Sequence, residues 1–248
     1  MIKQLTLSRL TLVPNQGKAT NMGGISYDPS TKQLYAIKTS QANDESALFR
    51  FSTKTWAYKT VTFSGGVMNH GNGIAYDRKD KHVAVAPGGE YIQDVTLGAG
   101  LKWKNKKMVS EAYAGAIAYM YEDRYLIRTG KYAFAVMQKK DGVFRLVLKF
   151  KIQNPWDEKG FTIPQDIEYH NSSGYAVYSR EDKKRNLILR WKITTETLKK
   201  GATLTPQDIY LSKESSALYE WESVTFMNKY LLISANTKAG DYIYKAEV

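Results

Sequence analysis

Apolar residues in this chain come in short runs of four or five, and one phrase recurs among them. It consists of a small or polar residue, then Ile or Val, then any residue, then Tyr or Phe. It reads Gly24-Ile25-Ser26-Tyr27, Gly73-Ile74-Ala75-Tyr76, Ala116-Ile117-Ala118-Tyr119, Asp166-Ile167-Glu168-Tyr169 and Ser223-Val224-Thr225-Phe226. The apolar members are spaced by 49, 43, 50 and 57 residues. Self-similarity at such a period is the signature of a solenoid or a propeller.

Each copy continues in the same order. A turn rich in Asp, Asn, Ser, Pro or Gly follows, as in Asp28-Pro29-Ser30-Thr31 and His170-Asn171-Ser172-Ser173-Gly174, and these residues set or tolerate turn dihedrals. A second run comes next: Leu34–Ile37, His82–Val85, Tyr125–Ile127, Tyr175–Tyr178 and Tyr230–Ile233. Such β-branched and aromatic runs between turn signals predict buried strands. Third strands are expected at Ala47–Phe51, Tyr91–Val95, Ala133–Met137, Leu187–Trp191 and Asp241–Tyr244. More polar fourth strands are expected at Lys59–Phe63, Trp103–Val109, Phe144–Ile152 and Gln207–Leu211. The fifth copy ends at Val248 without a fourth strand, while Leu5–Val13 alternates and precedes the first copy. The economical arrangement is circular, with the N-terminal strand completing the last sheet.

The sequence therefore predicts an all-β, five-bladed β-propeller with four antiparallel strands per blade. One domain over 1–248 is expected, with blades near 20–63, 69–110, 113–152, 163–211 and 220–248 plus 3–13. A β-sandwich is the competing architecture. Helix signal is confined to Thr194–Gly201, which reads as one turn in a loop.

In a propeller, the loops entering the innermost strands crowd one mouth of the channel, where a rigid scaffold displays variable residues. The segments just before the phrase thus carry the candidate ligand-binding residues: Asn21, Asn69, His70, Asn72, Gln165, Asp166, Trp221 and Glu222. In an enzyme, His70, Asp166 and Glu222 would serve as acid, base or metal ligand. Asp166 and Glu222 are also candidate oxygen ligands for a Ca²⁺ in the channel. Each has a bland alternative. Asn69 to Gly73 also reads as a Gly-rich turn with left-handed Asn. The carboxylates also read as hydrogen-bond partners of neighbouring blade backbones. Trp156 and Trp221 are candidate stacking platforms for sugars, although most aromatics in such a fold pack between blades.

Composition narrows the chemistry. No Cys is present, which excludes disulfides, thiolate nucleophiles and Cys-based metal sites. The three histidines, His70, His82 and His170, lie apart, which argues against zinc. No nucleophile elbow and no phosphate-cradling loop occurs. The net charge of +12 favours anionic partners: nucleic acid, anionic lipid or wall polymers such as teichoic acid. The lysines are dispersed, with local clusters only at Lys102–Lys107 and Asp182–Arg185, and no nucleic-acid motif of defined spacing is present. No window approaches the apolar length of a membrane span. The alternating start, Met1 to Leu7, lacks the apolar region of a signal peptide.

The strings His70-Gly71-Asn72-Gly73-Ile74-Ala75-Tyr76, Gln165-Asp166-Ile167-Glu168-Tyr169 and Glu222-Ser223-Val224-Thr225-Phe226, with the ending Tyr242-Ile243-Tyr244-Lys245, resemble the helveticin J family. The resemblance is clearest over 160–248 and looser in the first half. It implies a secreted, non-enzymatic antibacterial or surface-binding propeller of Gram-positive bacteria with no cofactor. Its expected partner is a teichoic acid or glycan of the cell envelope. A propeller hydrolase acting on glycans or nucleotides, and a phage or surface lectin, are the other classes the residues allow.

Overall fold

The computed structural model describes residues 1–96, 98, 103–194 and 196–248. Lys102 of the first basic cluster and Thr195 of the expected helical turn lie outside these residues. The described chain is all-β, and its helical content is one 3₁₀ turn at Asp157–Lys159.

Among the described residues, twenty-two strands follow one another. The N-terminal pair is β1 (Ile2–Gln4) and β2 (Ser8–Leu12). The first unit is β3 (Asn21–Asp28), β4 (Gln33–Thr39), β5 (Glu45–Ser52) and β6 (Tyr58–Ser64). The second is β7 (Gly73–Asp77), β8 (His82–Ala86), β9 (Gly89–Thr96) and β10 (Lys104–Ala114). The third is β11 (Ala116–Tyr121), β12 (Arg124–Arg128), β13 (Ala133–Lys140) and β14 (Val143–Ile152). The fourth is β15 (Ile163–His170), β16 (Ser173–Ser179), β17 (Asn186–Lys192), the short β18 (Thr203–Leu204) and β19 (Asp208–Leu211). The fifth is β20 (Tyr219–Met227), β21 (Tyr230–Thr237) and β22 (Gly240–Glu247).

Within each unit the strands pair antiparallel in chain order, apart from β18, which pairs β14 in parallel. In the first two units an Asp side chain organises the first hairpin. Asp28 accepts from Ser30 N–H at 2.9 Å, and Asp77 from Lys79 and Asp80 N–H at 2.9 and 3.0 Å. Lys32, Lys81, Glu122, Asn171 and Asn228 take positive φ at these turns.

The first strands of the units succeed one another in a closed cycle: β3 beside β7, then β11, β15, β20, and β3 again. Side chains join several neighbours where no backbone ladder does. Ser26 Oγ accepts from Tyr76 N–H at 2.9 Å, and Ser223 Oγ from Ile25 N–H at 2.9 Å. The approach is so close that a Cβ on Gly24 would lie 2.6 Å from Ile74 N.

The core is divided in the same cyclic way. Five clusters of buried side chains each join two successive units, and one of them, with Phe49, Phe51, Leu232 and Ile243, joins the fifth to the first. Sheets packed on both faces explain why the second strands read as unbroken apolar runs. Each fully buried Leu, Val or Phe adds roughly 1.5–3 kcal/mol.

The N-terminal segment departs from the expected single strand. β2 pairs antiparallel with β22 in the fifth unit, whereas β1 lies parallel to β19 at the edge of the fourth. Leu5, between them, is buried in the cluster joining those two units, so the chain crosses from sheet to sheet there. The second and third units are also joined at their edges by a parallel pairing of Val109 and Ser110 with Val143 and Phe144. β10 extends to Ala114, so Tyr113 and Ala114 are strand residues rather than an incoming loop. At the expected helical turn, Leu198 N–H donates to Thr194 O at 2.8 Å and Gly201 has φ 75°. That is a single turn in a loop, as the sequence predicts.

Candidate functional site

Three of the five inner strands carry a one-residue bulge at the same place, just after they begin. The shifts lie between Met22 and Ile25, between Pro164 and Ile167, and between Trp221 and Ser223. A bulge bends its strand and re-aims side chains, and bulges are over-represented beside binding sites. Here they open the sheet ends around a cavity of about 640 Å³.

Its wall holds the amides of Asn15, Asn21, Asn72, Gln165 and Asn236, and the carboxylates Glu220, Glu222 and Asp241. Lys183, Lys238 and His70 supply the positive or titratable groups. A bonded chain organises it. Gln165 Nε2 donates to Glu220 Oε1 at 2.8 Å, and Lys183 Nζ lies 2.8 Å from Glu220 Oε2. Arg128, itself buried, donates to Gln165 O at 3.0 Å and holds that residue's backbone. Asn236 accepts from Met22 N–H at 3.0 Å and donates to Glu222 Oε1 at 2.5 Å, so one amide ties the first unit to the fifth and orients Glu222. Lys38, with zero exposure, pairs with Asp241 at 2.6 Å and donates to Asn15 Oδ1 at 2.6 Å.

Burial, and then the charge of Glu220, push the Glu222 carboxyl well above its usual range, against the opposing hydrogen bond from Asn236. His70 meets the solvent and bonds through Nδ1 to Asn43 Oδ1 at 3.1 Å. Desolvation at the mouth, and then Lys183, lower its pKa.

Of the residues expected at the mouth, Asn21, His70, Asn72, Gln165 and Glu222 line the cavity, and Asn69, Asp166 and Trp221 do not. Asn69 sits at φ 43° and donates to Pro87 O at 2.7 Å, which makes it a turn residue. Trp221 is fully buried in the cluster between the fourth and fifth units, so it is no sugar platform. Trp156 is half-buried against Phe161. Asp166 has no exposure: it accepts from Ser223 Oγ, and its Oδ1 points at Gly73 across the ring. It therefore shares no cavity with Glu222, and the two carboxylates do not form the expected acid–base or Ca²⁺ pair. Among the described residues, no group of three or more His, Asp or Glu is arranged to hold a metal ion. No helix among them is long and apolar enough to cross a membrane.

Sequence reasoning missed Lys183, Asn236, Asp241 and the pair Lys38–Asp241. Lys183 read as part of a surface charge cluster. Backbone bonds from Tyr219 N–H to Lys183 O at 2.9 Å and Ser215 N–H to Lys184 O at 3.1 Å fold that loop over β20 instead. Asn236 and Asp241 flank the last hairpin, away from the repeated phrase that marks the inner strands. A signal for Lys38 did exist: a basic residue closes an apolar second-strand run in both Ile37-Lys38-Thr39 and Ile127-Arg128-Thr129.

No protein-family model matches this chain, and no curated protein matches its sequence. Solved structures do resemble it. One is a chain of a Saccharomyces cerevisiae assembly of Dbp5 with Nup159, Gle1, IP6 and ADP, with TM-score 0.42, 6% identity and all of both chains covered. Another is the β-propeller domain of Cps50 (Swd1) from Myceliophteria thermophila, with TM-score 0.47 and 10% identity over 95% of this chain and 88% of that one.

Proposed function

We propose that the chain is a five-bladed β-propeller, each unit a blade, that binds a glycan-bearing component of the Gram-positive cell envelope in its mouth cavity. The observation that carries this is the cavity lining. About 640 Å³ falls in the size range of small-ligand sites, and hydrogen-bonding amides and carboxylates converge there. Such groups suit a polyhydroxylated ligand. The helveticin-like strings point the same reading toward an exported, envelope-directed protein. The net charge of +12 supports retention on anionic wall polymer such as teichoic acid, through the outer surface rather than the carboxylate-bearing cavity.

The test is retention on whole Gram-positive cells and on purified teichoic acid at low and high salt. We expect salt-sensitive retention on both, and for Asn236→Ala a loss of about tenfold in affinity for cells, or ~1.4 kcal/mol, with retention on teichoic acid unchanged. Absence of retention at low salt on both would overturn the reading.

One observation favours a second reading, a hydrolase. Glu222 is held toward its protonated form beside Glu220, whose carboxylate is anchored by Lys183. A carboxyl held protonated beside a second carboxylate is the pattern of a general acid and its partner. In that case Glu222, and not Asp166, is the acid. A panel of glycans and nucleotides tests it; turnover unchanged in Glu222→Gln and Glu220→Gln would remove both residues from the chemistry.

A further inference from the structure

We infer that the mouth cavity is built for a ligand that presents a primary ammonium group beside its hydroxyls, and that Glu222 is the carboxylate that receives it. This rests on the binding reading above and names the chemistry of its ligand.

The argument is a pairing of charges inside one cavity. Asp241 is answered by Lys38 at 2.6 Å. Glu220 is answered by Lys183 at 2.8 Å and by the Gln165 amide at 2.8 Å. Glu222, between them in the wall, is oriented by the Asn236 amide at 2.5 Å and pairs with no cation among the described residues. The same chain thus supplies a counter-ion to two of its three cavity carboxylates and leaves the third facing the space. A ligand ammonium would complete the set. Asn21 and Asn72 line the same cavity and can bond the hydroxyls of the same ligand.

Other ligand chemistries fit less well. A phosphate or carboxylate would be brought against Glu220 and Glu222 together. A neutral N-acyl group would offer Glu222 no counter-charge and would leave its carboxyl proton in place. The remaining charged groups of the wall do not change this. Lys183 forms its ion pair with Glu220, although its charge also acts on Glu222; Lys38 pairs with Asp241, and His70 bonds Asn43. Lys238 is exposed on the turn between β21 and β22 and makes no ion pair among the described residues. Its long side chain can swing away when a ligand enters.

A linkage follows. Burial favours a proton on Glu222 in the empty cavity, whereas the ammonium complex needs the carboxylate. Binding therefore displaces a proton, and affinity rises with pH for as long as the ligand amine stays charged. The +12 charge of the whole chain opposes a cationic ligand only at long range, because physiological salt screens it beyond about 8 Å.

The experiment is calorimetric titration with a 2-aminoethyl glycoside, its N-acetylated form and the plain methyl glycoside of the same sugar. It is run in two buffers of different ionisation enthalpy. We expect the amine to bind about tenfold more tightly than either neutral form, with proton release revealed by the buffer dependence, and Glu222→Gln to remove the preference. Equal binding of the three glycosides by the unmodified protein would overturn the ammonium inference and leave the binding reading standing. An amine preference that persists in Glu222→Gln would remove Glu222 from the role. If none of the glycosides binds and Asn236→Ala leaves retention on cells unchanged, the binding reading falls as well.

Discussion

Asp166 shows what a single residue at the centre of the ring can and cannot do. It belongs to the repeated phrase, so its strand and position in that strand were readable. Its surroundings were not, because they are made by two other strands: Ser223 donates to one oxygen, and Gly73 lies against the other. A Cβ on Gly73 would fall 2.3 Å from Asp166 Oδ1, so the glycine is required by the acid facing it. Zero exposure is the largest influence on this carboxyl and raises its pKa well above the usual range, against the Ser223 bond and the charge of Arg128. The sign for stability follows. Above pH ~4 the unfolded chain releases this proton and the folded chain keeps it, so stability is lost as pH rises toward the folded pKa. Asp166→Asn keeps the shape and an acceptor for Ser223 without the titration. Melting temperatures of the two proteins from pH 4 to 8 should diverge, with the Asn variant gaining relative to the parent as pH rises. A constant difference would show that Asp166 ionises in the folded state much as it does in the unfolded one.

At the scale of the element, the second strands place buried cations under the mouth. Lys38 ends β4 and Arg128 ends β12, and both are almost fully enclosed. Lys38 has two roles: it neutralises Asp241 at 2.6 Å and bonds Val13 O at 3.2 Å and Asn15 Oδ1 at 2.6 Å, which tethers the N-terminal segment. Breaking such a pair leaves an uncompensated buried charge and typically costs about 3–5 kcal/mol, whereas replacing both partners costs much less. Lys38→Met should therefore unfold at clearly lower denaturant than the parent, and Lys38→Met with Asp241→Asn should recover most of the loss. A double variant no better than the single would mean that the tether to Val13 and Asn15 matters more than the charge pair. The strands themselves were legible, since runs such as Leu34–Ile37 and Tyr175–Tyr178 are apolar on both faces and bounded by turn residues. The side-chain directions at the mouth were not. Alternation fixes which residues point inward only while register is unbroken, and the bulge between Trp221 and Ser223 breaks it. Trp221 was expected in an entering loop, whereas β20 already begins at Tyr219 and the bulge leaves the Trp buried in the core.

At the scale of the whole molecule, the period of the phrase set the order of the units, but how the circle closes depends on pairings between residues more than two hundred positions apart. Ser8 lies opposite Lys245, and Leu12 opposite Tyr242, so β2 completes the sheet that β22 leaves open. Met22 N–H bonds to Asn236, and the cluster of Phe49 with Leu232 and Ile243 packs the first unit on the fifth. These contacts hold the Asn236–Glu222 side of the cavity, so closure and site are mechanically one structure. If the β2–β22 pair is the seam by which the ring opens, a covalent bond across it should stabilise the entire fold. The chain has no cysteine of its own, so Ser8→Cys with Lys245→Cys offers one pairing and no competitor. Opposed residues of an antiparallel pair lie about 4.5–5.5 Å apart at Cα, within disulfide reach. Chain-entropy reasoning gives about 5 kcal/mol for closing so long a loop, with engineered bonds often delivering less. The oxidised double variant should melt above its own reduced form and unfold in one cooperative step. Equal melting of the two forms would place the weakest seam elsewhere in the ring, and the joined edges of β10 and β14 would then be the next pairing to cross-link.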